Sequence, residues 1–174
     1  KKLRRFLVLF PKEPKAILLY GPPGTGKTAL AHVAANETNS EIFELNASDL
    51  RDKEKIKETL KPAIEQKSLT KKGKIILIDE IDGILESERG GFLELLNLID
   101  LTQHPIILTA NNAWNKNLST LRRKVEMIQL KEIDYKIIKS VIFNILKKED
   151  LFVENDIITK IAIKARGDLR AAIN

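Results

Sequence analysis

The chain contains no cysteine. Disulfides, thiolate metal sites and a cysteine nucleophile are excluded together. Histidine is scarce: His32 and His104 are the only two, far apart in sequence, so a metal centre built on imidazole is not expected. No apolar run approaches the roughly 20 residues that a membrane-crossing helix needs. The amino end, Lys1-Lys2-Leu3-Arg4-Arg5-Phe6-Leu7-Val8-Leu9-Phe10, mimics a signal peptide. Its apolar run of five is too short for one and meets Pro11-Lys12-Glu13. Internal repeats and low-complexity tracts are also missing.

What is present is a 174-residue chain with 43% hydrophobic and 31% charged residues, the composition of a soluble globular domain, or of one with a small appendage. Net charge is +6 and the isoelectric point is about 9.4, which permits a polyanionic partner without requiring one. Lys1 to Phe10 reads as the end of a helix entered from upstream, and Leu169 to Asn174 as a helix cut off. Both ends suggest a piece of a longer protein.

Short, fully apolar runs alternate with helical patterns. Strands are expected at Ala16–Tyr20, Glu41–Asn46, Lys74–Asp79, Pro105–Ala110 and Val125–Leu130, and helices at Gly26–Thr38, Lys53–Gln66, Gly90–Leu101 and Asn117–Arg122. Apolar strands between helices mark a parallel sheet covered on both faces. Such sheets take their ligands at the carboxyl ends of the strands. After Leu130 the strands stop. Ile133 to Glu149 and Glu154 to Ala165 read as helices, with Asp134 capping the first and Asn155 or Glu154 the second. Gly167 can end the second, and Asp168 can cap a third. A domain boundary is placed near Lys131.

The first strand runs into Gly21-Pro22-Pro23-Gly24-Thr25-Gly26-Lys27-Thr28. The spacing is that of a phosphate-binding loop. Glycines let backbone N–H groups turn inward around phosphates, Lys27 sets a cation against the β- and γ-phosphates, and the Thr28 hydroxyl can ligate magnesium. The alternative, a Gly/Pro surface turn, leaves the strand before it and the helix after it unexplained. The third strand ends in a second signal, Ile75-Ile76-Leu77-Ile78-Asp79-Glu80. Magnesium takes few carboxylates and keeps several waters, so Asp79 would hold it through water. Glu80 would orient or deprotonate the water that attacks the γ-phosphate. The plainer alternative has both acids capping the next element.

The loop together with Ile78-Asp79-Glu80-Ile81-Asp82 resembles the AAA+ ATPase family. That resemblance spans the whole chain. It implies the P-loop NTPase αβα sandwich, with a five-stranded parallel sheet over residues 1–131, and a small all-helical lid over 132–174, truncated at its carboxyl end. Two further stretches, Glu44-Leu45-Asn46-Ala47-Ser48-Asp49 and Gly167-Asp168-Leu169-Arg170-Ala171-Ala172-Ile173-Asn174, resemble signatures of clamp-loader subunits of the replication factor C type. By the resemblance, ATP binds at Gly21, Pro22, Pro23, Gly24, Thr25, Gly26, Lys27, Thr28 and Ala29. Thr28 and Asp79 serve magnesium, and Glu80 and Lys27 serve hydrolysis. Asn111 matches the first sensor, a polar group beside the γ-phosphate. Arg170 matches the second sensor, reaching the nucleotide from the lid. A turn at Asn111-Asn112 and a surface arginine at 170 are the competing readings.

One departure is informative. Small clamp-loader subunits carry Ser-Arg-Cys after the first sensor, and that arginine enters the neighbour's site. Here the stretch is Leu118-Ser119-Thr120-Leu121-Arg122-Arg123-Lys124-Val125. This resembles the large subunit, which receives an arginine; Arg122 and Arg123 read as a basic surface. The implied partners are clamp-loader small subunits in a hetero-oligomer, a pentamer by the family pattern, then a sliding clamp and primer–template DNA held without base readout. No membrane is implied. Helix amino ends near Ser48–Lys55 and Glu88–Gly91 would face the DNA backbone, with Arg51, Lys55 and Arg89 as contacts. Nearby acids dilute that signal. Lys71-Lys72-Gly73-Lys74 reads as a loop before a strand, and Trp114 as a residue that packs. A Cys-free, Lys/Glu/Ile-rich composition with this resemblance suggests a thermophilic archaeon, hence a cytoplasmic, nucleoid-associated protein; a eukaryotic one would be nuclear. Three alternatives remain open: an inert nucleotide-binding scaffold, which the presence of Glu80 disfavours, another AAA+ switch of the origin-recognition or helicase-loader type, and remotely a metabolic kinase.

Overall fold

The computed structural model describes residues 1–11, 14–47, 53–66, 71–82 and 89–174. They fall into two compact units, Lys1–Tyr20 with Lys27–Gln129, and Gly21–Gly26 with Leu130–Asn174.

The first unit is built on β1 (Ala16–Tyr20), β2 (Ser40–Asn46), β3 (Gly73–Asp79), β4 (Ile106–Ala110) and β5 (Val125–Gln129). All are parallel, in the order β2-β3-β4-β1-β5. The three inner strands are apolar almost throughout because neither face sees water: Ile17, Leu18, Leu19, Ile76, Leu77, Ile78, Ile107 and Leu108 are all fully buried. The outer strands β2 and β5 are only partly buried, and their sequences mix polar with apolar residues accordingly. Around the sheet lie α1 (Lys2–Leu9), α2 (Lys27–Glu37), α3 (Lys53–Glu65), α4 (Arg89–Leu101) and α5 (Ser119–Lys124). Helix α2 buries Ala31, Ala34 and Ala35, small side chains that allow close approach.

Element ends differ from the sequence reading by a residue or two, each for a local reason. Strand β4 starts at Ile106 because Pro105 has no N–H for the ladder, although its carbonyl still accepts from Ile76 at 3.0 Å. The expected helix at Asn117–Arg122 divides into a 3₁₀ turn, Lys116–Leu118, capped by the Asn115 side chain, and then α5.

The second unit carries α6 (Tyr135–Lys148), α7 (Asn155–Lys164) and α8 (Leu169–Ile173). Its small core is Ile138, Ile142, Ile158 and Ala162, with Ile133, Leu146, Val153 and Leu169 packed around it. Asp134 caps α6 by accepting from the Lys136 N–H at 2.8 Å. Glu154 occupies the α7 cap position but its side chain makes no capping bond. After α7, Gly167 takes φ +86°, and a Cβ there would stand 2.6 Å from Glu132 Cβ, so only glycine turns this corner without strain.

Truncating Leu108 to alanine should cost about 2–5 kcal/mol, because it opens a cavity in the middle of the sheet. Removing the Asp134 cap with Asp134→Ala should cost about 1 kcal/mol. Denaturant unfolding followed by circular dichroism measures both, and comparable losses from the two changes would contradict this assignment of the core.

Candidate functional site

The strand order β3-β4-β1 sets three strand ends side by side at the carboxyl edge of the sheet. The β3–β4 register pairs Ile78 with Leu108, so the next residues, Asp79 and Thr109, stand opposite one another. Helix α2 starts with Lys27 and Thr28. Within this unit Lys27, Thr28, Asp79 and Asn111 therefore converge. The Thr28 hydroxyl lies 2.9 and 3.2 Å from the two carboxylate oxygens of Asp79. The Lys27 ammonium, with the residue 9% exposed, donates to Asn111 Oδ1 at 2.9 Å. Asn111 follows directly on β4, and its backbone N–H donates to Asp82 Oδ2 at 2.6 Å. Glu80 is exposed and takes φ +56°, the left-handed region that a non-glycine residue adopts only when held there.

Two residues in this arrangement had no role in the sequence reading. Thr109 is fully buried, donates its hydroxyl to Asp79 Oδ1, and accepts from the Glu80 N–H at 2.9 Å. It is the one polar residue in Ile106–Ala110, and that was the available signal. Asp82 stood inside the quoted Ile78–Asp82 motif; its bond to Asn111 depends on a turn that no spacing rule announces.

The phosphate-loop residues Gly21–Gly26 belong to the second unit. Thr25 Oγ1 closes the loop on the Pro22 carbonyl at 2.8 Å. The Gly24 carbonyl accepts from the Leu169 N–H at 3.2 Å. Gly24 has φ +66°, and a Cβ on it would lie 1.7 Å from Asp168 Oδ1. Both the dihedral and the space demand glycine. Asp168 in turn caps α8, accepting from the Ala171 N–H at 2.9 Å. Arg170 is the second residue of α8 and is exposed.

The expectation of a basic surface at Arg122 is corrected. Its guanidinium is committed to its own chain, donating to the carbonyls of Ala113 at 2.7 Å and Asn115 at 3.0 Å and lying 5.3 Å over the Trp114 ring. Arg123 remains exposed. Trp114 packs less than expected: it is 67% exposed, with one edge-to-face contact to Tyr20 at 6.4 Å. His32 meets Glu44 at 2.8 Å, and His104 Nε2 lies 3.0 Å from the Gln66 carbonyl. Lys71 and Lys72 precede β3 as irregular chain. Of the DNA-backbone candidates, Arg51 lies outside the described residues. Lys55 is carried on α3 and Arg89 begins α4, but their side chains lie outside the description. Ser48 and Asp49 of the clamp-loader-like stretch, and Glu88 before α4, are likewise outside it.

The donor set suits a triphosphate with a hard divalent cation. A hydroxyl and a carboxylate meet at Thr28 and Asp79, matching the all-oxygen preference of magnesium. The Lys27 ammonium stands beside them, and a glycine-bearing loop precedes it in sequence. Among the described residues no cluster of three or more His, Cys, Asp or Glu could hold a metal by protein ligands alone. No described helix is long and apolar enough to cross a membrane.

Trp114 is the chain's single tryptophan, so its emission reads the Arg122 contact directly. Arg122→Ala should change its intensity and maximum, with Arg122→Lys intermediate because a lysine lacks the guanidinium's forked donors. An unchanged spectrum in Arg122→Ala would remove this contact from the solution structure.

Comparison with known proteins places the chain in context. The sequence profile of the ATPase family associated with various cellular activities (AAA) matches residues 17–133. The replication factor C large subunit of Thermofilum pendens is 46% identical over 162 residues, covering 92% of this chain and 39% of that protein. The one from Nanoarchaeum equitans is 43% identical over 175 residues, covering 99% and 41%. The chain thus spans about two-fifths of the length of these relatives. Among solved structures, a point mutant of RuvB from Thermotoga maritima superposes with a TM-score of 0.73 at 25% identity, covering 99% of this chain and 59% of that one.

Proposed function

Because this chain belongs to the AAA family of ATPases, we propose that it is the ATP-hydrolysing module of a sliding-clamp loader, of the kind called the replication factor C large subunit in its archaeal relatives. The observation that supports the reading most directly is the cluster of Lys27, Thr28, Asp79 and Asn111 at one edge of the sheet, with Glu80 beside it. In this reading the N–H groups of Gly21–Gly26 and Ala29 take the phosphates, with Pro22 and Pro23 shaping the loop. Lys27 exchanges its bond to Asn111 for phosphate oxygens. Asn111, so released, has an amide able both to donate to the γ-phosphate and to accept from water. Thr28 and Asp79 would hold magnesium, which would supply charge neutralisation at the phosphates. Glu80, the exposed acid at the end of β3, aligns the attacking water. Arg170 grips the nucleotide from the helical unit, where a planar fork suits phosphate oxygens.

The remaining roles are those that the resemblance to clamp-loader subunits implies, and the relatives' name supports them. The module works within a hetero-oligomer of clamp-loader subunits, on a sliding clamp and primer–template DNA, in an archaeal cell. DNA is held through its backbone, with Arg51, Lys55 and Arg89 as candidate contacts, so binding is independent of sequence and weakens steeply with salt. The Ser-Arg-Cys motif is absent and Arg122 is engaged within its own chain, which favours a module that receives a neighbour's arginine.

Lys27→Ala should abolish uptake of a fluorescent ATP analogue, whereas Glu80→Gln should bind it and lose turnover by two orders of magnitude or more, about the loss seen when a water-positioning group is removed. A Glu80→Gln variant that hydrolyses ATP normally would reduce the chain to a binding scaffold. Turnover of the isolated chain should be slow and should rise roughly a thousandfold or more once partner subunits, clamp and primed DNA are supplied. Equal rates in the two settings would rule out dependence on a neighbour's arginine.

A further inference from the structure

A continued strand would send the adjacent side chains of Asp79 and Glu80 to opposite faces of the sheet. In this chain the strand ends at Asp79 and Glu80 turns into the left-handed region at φ +56°. That conformation is disfavoured for a residue bearing a Cβ and persists only where surrounding contacts impose it. The contacts come from one residue on the neighbouring strand. The Thr109 hydroxyl accepts the Glu80 N–H at 2.9 Å and donates to Asp79 Oδ1, while the Thr109 carbonyl accepts the Ile81 N–H at 3.0 Å.

We propose that Thr109 is a positioning residue for the hydrolytic site, its single hydroxyl setting both the direction of the Asp79 carboxylate and the backbone turn that aims Glu80. This rests on the reading of the site as an ATPase centre. A hydroxyl has one proton to give, and it goes to Asp79; one of its two lone pairs takes the Glu80 N–H. An N–H can only donate and a carboxylate can only accept, so each bond has one possible direction and a single hydroxyl ties the two adjacent residues together. Asp79 Oδ1 is engaged by Thr109 and Oδ2 lies nearest to Thr28. The carboxylate is therefore held from both sides, one of them the helix that starts with Lys27. Thr109 is fully buried, so water does not compete for its hydroxyl. A merely structural threonine would be replaceable by valine, which has the same shape and even better strand propensity. A positioning threonine would not.

The test uses Thr109→Val and Thr109→Ser in the full chain with its assembly partners. Three quantities are read: affinity for a fluorescent ATP analogue with and without magnesium, the turnover rate, and the thermal midpoint. Thr109→Ser keeps the hydroxyl and should bind, gain affinity from magnesium and turn over much as the unaltered chain does. Thr109→Val should still bind metal-free analogue, because Lys27 is untouched, but should lose most of the gain that magnesium gives. Its turnover should fall roughly tenfold to a hundredfold, the scale of a small misplacement at a reacting centre. If the valine variant does not fold, Thr109→Ala removes the same hydroxyl without a branched side chain and faces the same outcomes. Full turnover and an undiminished magnesium gain in the hydroxyl-free variant overturn the proposal while leaving the ATPase reading intact. Failure of the unaltered chain to take up the analogue overturns the ATPase reading, and this proposal with it.

Discussion

The carboxylate of Asp79 is where the candidate site is tied together. It accepts from Thr109 on the adjacent strand and lies within hydrogen-bonding distance of Thr28 at the start of α2. Remove that junction and the order β3-β4-β1 still forms, since buried aliphatic strands drive it. The polar ends of those strands would then have no common arrangement. Hydrophobic burial brings the three ends to one edge, and a few directional bonds decide which way each side chain points once there. The first is strong and tolerant of substitution; the second is weak bond by bond but specific.

Much of the architecture could be read from the sequence. Isoleucine and leucine runs such as Ile75–Ile78 have few solutions other than an inner parallel strand, and all five strands lie where those runs predicted, within a residue or so. The placing of Asp79, Glu80 and Asn111 at the carboxyl edge of the sheet was legible for the same reason, since each ends or follows an apolar run. What could not be read was the set of cross-strand bonds. Thr109 and Asp82 act through register, and register depends on which strands become neighbours. Arg122 misled because a run of three basic residues, Arg122-Arg123-Lys124, suggests a solvated face, whereas a turn at Ala113–Asn115 offers two carbonyls to one guanidinium.

The helical unit shows a different logic. Its core is small, and local devices carry much of its definition: a side-chain cap at Asp134, a left-handed glycine at 167, and a second cap at Asp168. These were visible in the sequence because capping and chain reversal are short-range chemistry. The close approach of the phosphate loop to the start of α8 was not, since Gly24 and Asp168 are separated by most of the chain.

That approach limits how the molecule can diverge. The carboxylate of Asp168 fills the volume that any side chain on Gly24 would claim. A lineage that enlarges the loop residue must first shorten or redirect the acid, and in doing so gives up the end of a helix. Losing that cap costs about 1 kcal/mol, whereas a side chain at 24 meets the acid and an unfavourable dihedral together, so the acid is the position with room to change and the glycine is not.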